Sequence, residues 1–519
     1  ILVSAQPDPH SRYPAPKGSH VSQPDEVLPS SVQPLVRLPS GVQGLDRVLN
    51  GGLFRGGMYM IMGAPGTGKT VLANQICFSH IAEGGRAIYV TLLTESHTRL
   101  LAHLHAFSFF DQAAVGDTIL FFSGYSVFVQ EGIDGLYTML RQTMRNHHAS
   151  LLVLDGLDTV LMGGATELSF KAFLQRVQTI GELQQCTTLL ISHQLTRESS
   201  SEQMMADGLL ELTHFHIGLR MARKLEVWKL RGSAYIEGRH PCIISDSGLI
   251  VYPRTESLLK QTDTPDVVPV GMVEFGIPKL DAMLGGGQPA ASISMLFGGP
   301  GTGKTILGLH FLAAGLAKGE PCLYFGFQET PSRLINKAAR LGMNFNSEEA
   351  SRLLTFRWHS PAENIPEALV SEMLDIIDSQ GIQRLFIDGL DDILAMLFDP
   401  DRVHGFFAVV ANVLRQRGIT TVFAMEMRSA APGSGAIPRI GVSETTDNII
   451  CLRSHEQDAQ LVRSLSILKM RDVGYDPITR PFEIATDQGI IIADTPLRAG
   501  SAPNASTTVA EIQAETHDP

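Results

Sequence analysis

Eight residues, Gly63-Ala64-Pro65-Gly66-Thr67-Gly68-Lys69-Thr70, read GAPGTGKT, and a second set, Gly298-Gly299-Pro300-Gly301-Thr302-Gly303-Lys304-Thr305, reads GGPGTGKT. Both fit GxxxxGK[ST], the spacing of a phosphate-binding loop. Gly63, Gly66 and Gly68, like Gly298, Gly301 and Gly303, let backbone N–H groups turn inward around phosphate oxygens. The helix that opens next adds a favourable dipole, and Thr67 and Thr302 complete each cradle. Lys69 and Lys304 are placed to reach the β- and γ-phosphates, and the Thr70 and Thr305 hydroxyls to ligate Mg2+. Two matches in equivalent contexts point to two nucleotide sites, with ATP and Mg2+ as the expected cofactors.

Other residues extend that chemistry. LLVLD ends at Asp155 and RLFID at Asp388. A carboxylate at the end of an apolar strand, downstream of such a loop, is the Walker B pattern and is expected to hold Mg2+ through water. Hydrolysis also needs a group that orients or deprotonates the attacking water. Glu95 in LLTES and Glu329 in FQETP are the candidates, with an ordinary helix-capping glutamate as the competing reading. Late in the chain, WKLRG carries Lys229 and Arg231, and LKMRD carries Lys469 and Arg471. Two cations two apart on a strand face the same side. They can reach a neighbouring subunit's γ-phosphate as an arginine finger does. A solvated basic pair is the plainer reading, and recurrence of the pair favours function.

The elements that position these residues repeat. Lys69 and Lys304 lie 235 residues apart, Asp155 and Asp388 233, and Asp207 and Asp447 240, as do both Lys–Arg pairs. A nearly constant offset means a duplicated domain of about 235 residues. Apolar runs Met58 to Met62 and Ile293 to Phe297 lead into the loops. The runs Ala87 to Leu92, Leu151 to Leu154 and Thr187 to Ser192 recur as Cys322 to Phe327, Arg384 to Ile387 and Thr420 to Met425. Continuous rather than alternating apolar residues indicate strands covered on both faces. Segments with helical spacing, such as Ala172 to Leu183, lie between them. The expected fold class is therefore α/β, two tandem P-loop domains with mainly parallel sheets flanked by helices. The expected limits are a proline-rich disordered arm over 1–35, a first domain over 36–253, a linker over 254–269, a second domain over 270–494 and a flexible tail over 495–519. A docking role is the alternative for the tail.

Composition narrows the function class. With 519 residues, 44% hydrophobic and 18% charged, the chain suits two globular domains. A net charge of −12 argues against dedicated duplex binding, so nucleic acid is not an expected partner. Five scattered cysteines without a CxxC pair read as buried, reduced thiols of a cytoplasmic protein. The 17 histidines show no metal-ligand spacing, and His147-His148 reads as a surface turn. No apolar run approaches the length of a membrane span.

From about Val36 to about Asp494 the chain resembles the KaiC family of circadian clock proteins. The resemblance rests on the tandem GxPGTGKT loops, the GLDRVLNGG and KLDAMLGGG entries, the QETP segment, the Walker B strands and the paired KLRG and KMRD motifs. It implies RecA-like domains assembled as a double-ring homohexamer with ATP between subunits. Lys229, Arg231, Lys469 and Arg471 then act across the interface. It also implies an ATPase ring and a second ring with serine/threonine autokinase and autophosphatase activity, and a KaiB-like or other signalling partner. Two departures stand out. The family's Glu-Glu pair after the second strand is Thr94-Glu95 in one copy and Gln328-Glu329 in the other. The family's adjacent Ser-Thr phosphorylation site aligns with Ser443-Glu444, so Ser443 is the expected phosphoacceptor and Glu444 a fixed negative charge beside it. The alternatives left open are a DNA-dependent RecA-like recombinase or helicase motor, and a nucleotide-switched signalling scaffold with negligible turnover.

Overall fold

The computed structural model describes residues 35–93, 97–163, 165–193, 205–217, 220–259, 271–360, 364–397, 399–426, 442–457 and 460–497. The expected arm lies outside them except for Leu35, the tail beyond Leu497, and the linker beyond its first six residues.

Two nine-stranded sheets carry the fold, and their strand orders are the same. In the first lobe the order across the sheet is Ile119–Ser123, Ala87–Thr91, Leu151–Asp155, Thr187–Ser192, Met58–Met62, Gly208–Ile217, Arg220–Leu230, Arg239–Ser245 and Gly248–Val251. In the second it is Leu354–Trp358, Cys322–Gly326, Arg384–Asp388, Thr420–Glu426, Ile293–Gly298, Asn448–Gln457, Gln460–Lys469, Arg480–Ala485 and Gly489–Ile492. The first six strands of each sheet pair in parallel and the last three antiparallel. The shared order is the duplication seen in space, and the α/β, RecA-like expectation holds.

The parallel strands of the sheet centre are continuously apolar because both faces are covered. Every residue of Ala87–Thr91 and Leu151–Asp155 is buried. In the second lobe Leu296, Phe386, Val422 and Ala424 pack with Leu307 and Leu312 of the helix Lys304–Leu316. Met295, Leu385, Ile387 and Phe423 pack on the other face with Phe406, Phe407 and Val410. Alternation along each strand assigns those two sets to opposite faces. Among the described residues no helix is long and apolar enough to cross a membrane.

The segment leaving the first lobe is clamped. Glu256, in the turn Thr255–Ser257, accepts hydrogen bonds from Arg402 Nε at 2.7 Å and Nη2 at 2.9 Å. The same guanidinium donates to Glu367 at 2.6 Å. Burial pushes the Glu367 carboxyl up, and Arg402 opposes that shift.

Three details correct the sequence reading. The Walker B strands include Asp155 and Asp388 and do not stop before them. His147 is buried at the end of the helix Tyr125–His147, its Nε2 3.2 Å from the Thr118 carbonyl oxygen; only His148 sits in the exposed turn. Arg231 and Arg471 lie just past strands that end at Leu230 and Lys469, and a register shift leaves Trp228 and Leu468 unpaired. Simple alternation therefore does not place each Lys–Arg pair, although Arg231 and Arg471 still act electrostatically on Lys229 and Lys469.

Candidate functional site

Each glycine-rich loop joins the central strand of its sheet to a helix beginning at the loop lysine. Gly66 and Gly68 have φ of 81° and 106°, and Gly301 and Gly303 have 70° and 103°. Only glycine adopts that backbone cheaply. Close approach matters as well: a Cβ on Gly63 would sit 2.1 Å from the Leu212 carbonyl oxygen. A Cβ on Gly301 would meet nothing within 4 Å, so the loop crest is open for a phosphate.

The loop lysines fold back onto this cradle. Lys69 Nζ donates to the carbonyls of Gly63 and Ala64 at 2.6 and 3.0 Å, and Lys304 Nζ to those of Gly298 and Gly299 at 2.8 and 2.9 Å. Burial lowers both ammonium pKa values, and nearby carboxylates partly oppose it: Asp155 and Asp158 for Lys69, and Glu426, Asp388 and Asp391 for Lys304. An ammonium ion lacking full solvation and facing acceptors only in part is primed to bind an anion.

Asp155 Oδ2 accepts from Thr70 Oγ1 at 3.2 Å and from the Tyr89 hydroxyl at 2.5 Å. Asp388 Oδ2 accepts from Thr305 Oγ1 at 2.8 Å and from Tyr324 at 2.9 Å. Burial raises both carboxyl pKa values, and these hydrogen bonds pull them back. A hydroxyl and a buried carboxylate converging beside an open phosphate cradle fit a divalent cation. Among the described residues no cluster of three His, Cys, Asp or Glu side chains forms an all-protein cage. Such a cation would complete its shell with water and phosphate oxygens, the habit of Mg2+.

Sequence reasoning missed two supports of this corner and one at the far end of the loop strand. Tyr89 and Tyr324 read as core residues, yet their hydroxyls orient the Walker B carboxylates. Asp158 and Asp391, three residues beyond those carboxylates, cap the next strand: Asp158 Oδ2 accepts from His193 N at 2.6 Å, and Asp391 Oδ1 from Glu426 N at 3.2 Å. Arg415 donates to Asp447 Oδ2 at 3.1 Å from the helix Arg402–Gln416. The signal for the first two was available, since Tyr324 lies 235 residues after Tyr89 and Asp391 233 after Asp158.

The remaining predicted residues divide. Glu95 lies outside the described residues. Glu329 is ion-paired with Lys337 on the helix Pro331–Ala339, while Gln328 Nε2 donates to Asp392 Oδ2 at 2.8 Å. Glu329 still acts electrostatically on Asp388, raising its pKa. The Lys–Arg pairs are not beside the loops of their own lobes. Arg231 Nη1 lies 3.7 Å from Asp207, whose Oδ2 accepts from Met58 N at 2.9 Å, the first residue of the strand whose far end opens into the loop. Arg471 Nη1 lies 3.2 Å from Asp447, whose Oδ2 accepts from Ile293 N at 2.9 Å. A strand length of about 15 Å therefore separates each pair from its own loop. Lys469 Nζ donates to the Thr446 carbonyl at 2.7 Å, and Arg471 Nη2 to that of Glu444 at 3.4 Å. The short helix Val442–Thr445, which carries the backbone of Ser443, thus sits at that same far end.

Comparison with known proteins agrees with this duplicated arrangement. The family model described as "ATPase: KaiC" matches residues 38–256 and again 273–496. The chain is similar to the circadian clock oscillator protein KaiC of Picosynechococcus sp., 25% identical over 488 residues, covering 92% of this chain and 93% of that protein. It is 27% identical over 499 residues to the protein of that name from Thermostichus vulcanus, covering 92% of each. It is also 26% identical over 462 residues to the circadian clock protein KaiC3 of Synechocystis sp., covering 86% of this chain and 90% of that protein.

Proposed function

Because the chain belongs to the KaiC ATPase family, with the family's domain matched twice along it, we propose that it works as a homohexameric double ring that binds and hydrolyses MgATP in both lobes. The lobes span 36–253 and 270–494. One observation carries this reading: each Lys–Arg pair lies about a strand length from its own phosphate loop, beyond the reach of either side chain. Such cations can reach a nucleotide only where a neighbouring subunit holds it. ATP then sits between subunits, with Lys229 and Arg231, or Lys469 and Arg471, completing the site from across the interface.

Within each site the chain's residues have separate tasks. The loop backbone and Lys69 or Lys304 hold the triphosphate. Thr70 and Asp155, or Thr305 and Asp388, would hold Mg2+, which supplies charge neutralisation at the transferring phosphoryl group. Tyr89 and Tyr324 keep those carboxylates aimed. Glu329 is the candidate to orient the attacking water in the second lobe, where the Lys337 ion pair holds it, and Glu95 is its sequence counterpart in the first. The cross-subunit cations stabilise charge that develops on the leaving phosphate.

The second lobe is also the candidate autokinase and autophosphatase, with Ser443 as phosphoacceptor. Ser443 shares the far end of the sheet with Arg471, so it would receive a phosphoryl group from the adjacent subunit's ATP. Glu444 places a permanent negative charge beside it, which favours a lobe held near a phosphorylated-like state. Family membership supports a clock-type or other signalling role, and the proposal extends to a KaiB-like partner. A second reading, a nucleotide-switched scaffold with little turnover in the second lobe, draws on the engagement of Glu329 by Lys337 and of Gln328 by Asp392.

The test is ATPase rate beside phosphopeptide mapping for the unaltered chain, Lys69→Ala and Lys304→Ala. The proposal expects each substitution to remove one lobe's share of turnover, and label at Ser443 to vanish only in Lys304→Ala. Full turnover in both variants would sink the two-site reading. Ordered double labelling at Ser443 and a neighbouring threonine would sink the fixed-charge reading of Glu444.

A further inference from the structure

The two phosphate sites differ at one position that has no assigned role. His193 in the first lobe immediately follows, and Glu426 in the second ends, the strand that lies between the Walker B strand and the loop strand. Their equivalence is geometric, because each backbone N–H donates to the matching aspartate, His193 to Asp158 and Glu426 to Asp391. In the second lobe the register pairs Asp388 with Ala424 and Gly298 with Glu426. Glu426 therefore lies between the Walker B carboxylate and the first glycine of the loop. Alternation puts it on the face of Val422 and Ala424, which is the face of the loop helix. Lys304 Nζ donates to the carbonyl of Gly298, the register partner of Glu426.

The neighbouring carboxylates are already engaged. Asp388 accepts from Thr305 and Tyr324, Asp391 from Glu426 N, Asp392 from Gln328, and Glu329 is paired with Lys337. Among the described residues the Glu426 carboxylate makes no hydrogen bond or ion pair; of the carboxylates that act on Lys304, it acts most strongly. In the first lobe His193 Nδ1 is buried without a hydrogen-bond partner, and the ring acts electrostatically on Asp155.

We propose that this strand end supplies the proton acceptor for the attacking water, Glu426 in the second lobe and His193 in the first. The inference rests on the reading that both lobes hydrolyse ATP. Water oxygen bonds to the γ-phosphorus. The bond from that phosphorus to the bridging oxygen breaks, and its electron pair leaves on ADP. The proton released by water passes to the Glu426 carboxylate or to a His193 imidazole nitrogen, and then to solvent. The lobe in which Gln328 replaces an expected acid thus carries its base on the opposite wall.

The experiment uses the full chain. Glu426→Gln and Glu426→Asp are made in a Lys69→Ala background, where the second lobe alone turns over, and His193→Gln in a Lys304→Ala background. Turnover and the dissociation constant of a fluorescent ATP analogue are measured for each. Loss of general base catalysis lowers kcat by about 10²–10⁴-fold. Glu426→Gln is expected to show that loss with nucleotide binding unchanged or tighter, because a negative charge beside the γ-phosphate has gone. Glu426→Asp is expected to recover part of the rate. Unchanged kcat in Glu426→Gln, or weakened nucleotide binding that accounts for the lost rate, overturns the assignment. If the Lys69→Ala parent binds nucleotide without turning it over, the hydrolysis reading of the second lobe fails and the assignment of Glu426 fails with it. A parent that turns over while Glu426→Gln matches it overturns the assignment alone.

Discussion

Asp388→Asn separates the stability of the second site from its function. The carboxylate is buried, and both its hydrogen bonds, from Thr305 at 2.8 Å and Tyr324 at 2.9 Å, fall on one oxygen. An asparagine oxygen can accept both, so the change removes the charge and keeps the partners. Weakening two charge-assisted hydrogen bonds costs about 1–2 kcal/mol, whereas relief of carboxylate desolvation returns several. Burial, the largest influence on Asp388, raises its pKa despite Lys304 nearby, in the direction of that balance. Without nucleotide, the variant is therefore expected to be more stable than the unaltered protein by about 1–2 kcal/mol near neutral pH. The sign with pH follows. A carboxyl raised in the folded state carries no penalty below its unfolded value, and the penalty grows as pH rises through the folded value. The advantage of Asp388→Asn should therefore narrow as pH falls. Trp228 and Trp358 are the only tryptophans, one in each lobe, so urea unfolding in a Trp228→Phe background reports the second lobe through Trp358. MgATP at about 100 times its dissociation constant adds about 2.7 kcal/mol to a competent site. The variant should gain much less. A destabilised variant without nucleotide, or one with the full MgATP gain, would refute the reasoning.

Two other outcomes follow from buried groups. Arg402→Met leaves Glu367, with only 1% of its side chain exposed, without its cation, and should cost about 3–5 kcal/mol in the same unfolding assay. Adding Glu367→Leu should recover most of that, and a loss under about 1 kcal/mol from Arg402→Met alone would contradict the clamp. All five cysteines are buried, and burial pushes the Cys186, Cys242 and Cys322 thiols up to about 12. Iodoacetamide at about pH 8 should leave the folded protein unlabelled and label every cysteine in denaturant. Rapid modification of the folded chain would contradict that burial.

Much of this arrangement was legible because duplication writes the same chemistry twice at one offset. The loops, the Walker B strands and the mainly parallel character of the sheets follow from continuous apolar runs ending in a glycine loop or an acid. What was not legible depends on register between strands far apart in the chain. Tyr324 reaches Asp388 across 64 residues and Glu426 meets Gly298 across 128, and neither spacing has a local period. The Lys–Arg pairs were found by recurrence, but alternation along a strand does not place Arg231 and Arg471, because the strands end at Leu230 and Lys469. His147 was misread because a polar pair at a helix end looks like surface, although the helix buries one histidine and exposes the next. Polarity alone did not distinguish Glu329 as a base from Glu329 as a structural ion pair. That depended on Lys337, two helical turns away.

The claim that each site is built by two subunits has a direct test in mixed hexamers. Lys304→Ala removes the loop lysine and keeps Arg471, and Arg471→Ala does the reverse. In a Lys69→Ala background each variant alone is expected to lack second-lobe ATPase activity. Mixed in equal amounts with subunit exchange, about one interface in four pairs an intact loop with an intact Arg471. The mixture should therefore regain about a quarter of the parent rate. A mixture as inactive as its components would contradict a site shared between subunits, as would an Arg471→Ala protein that is fully active by itself.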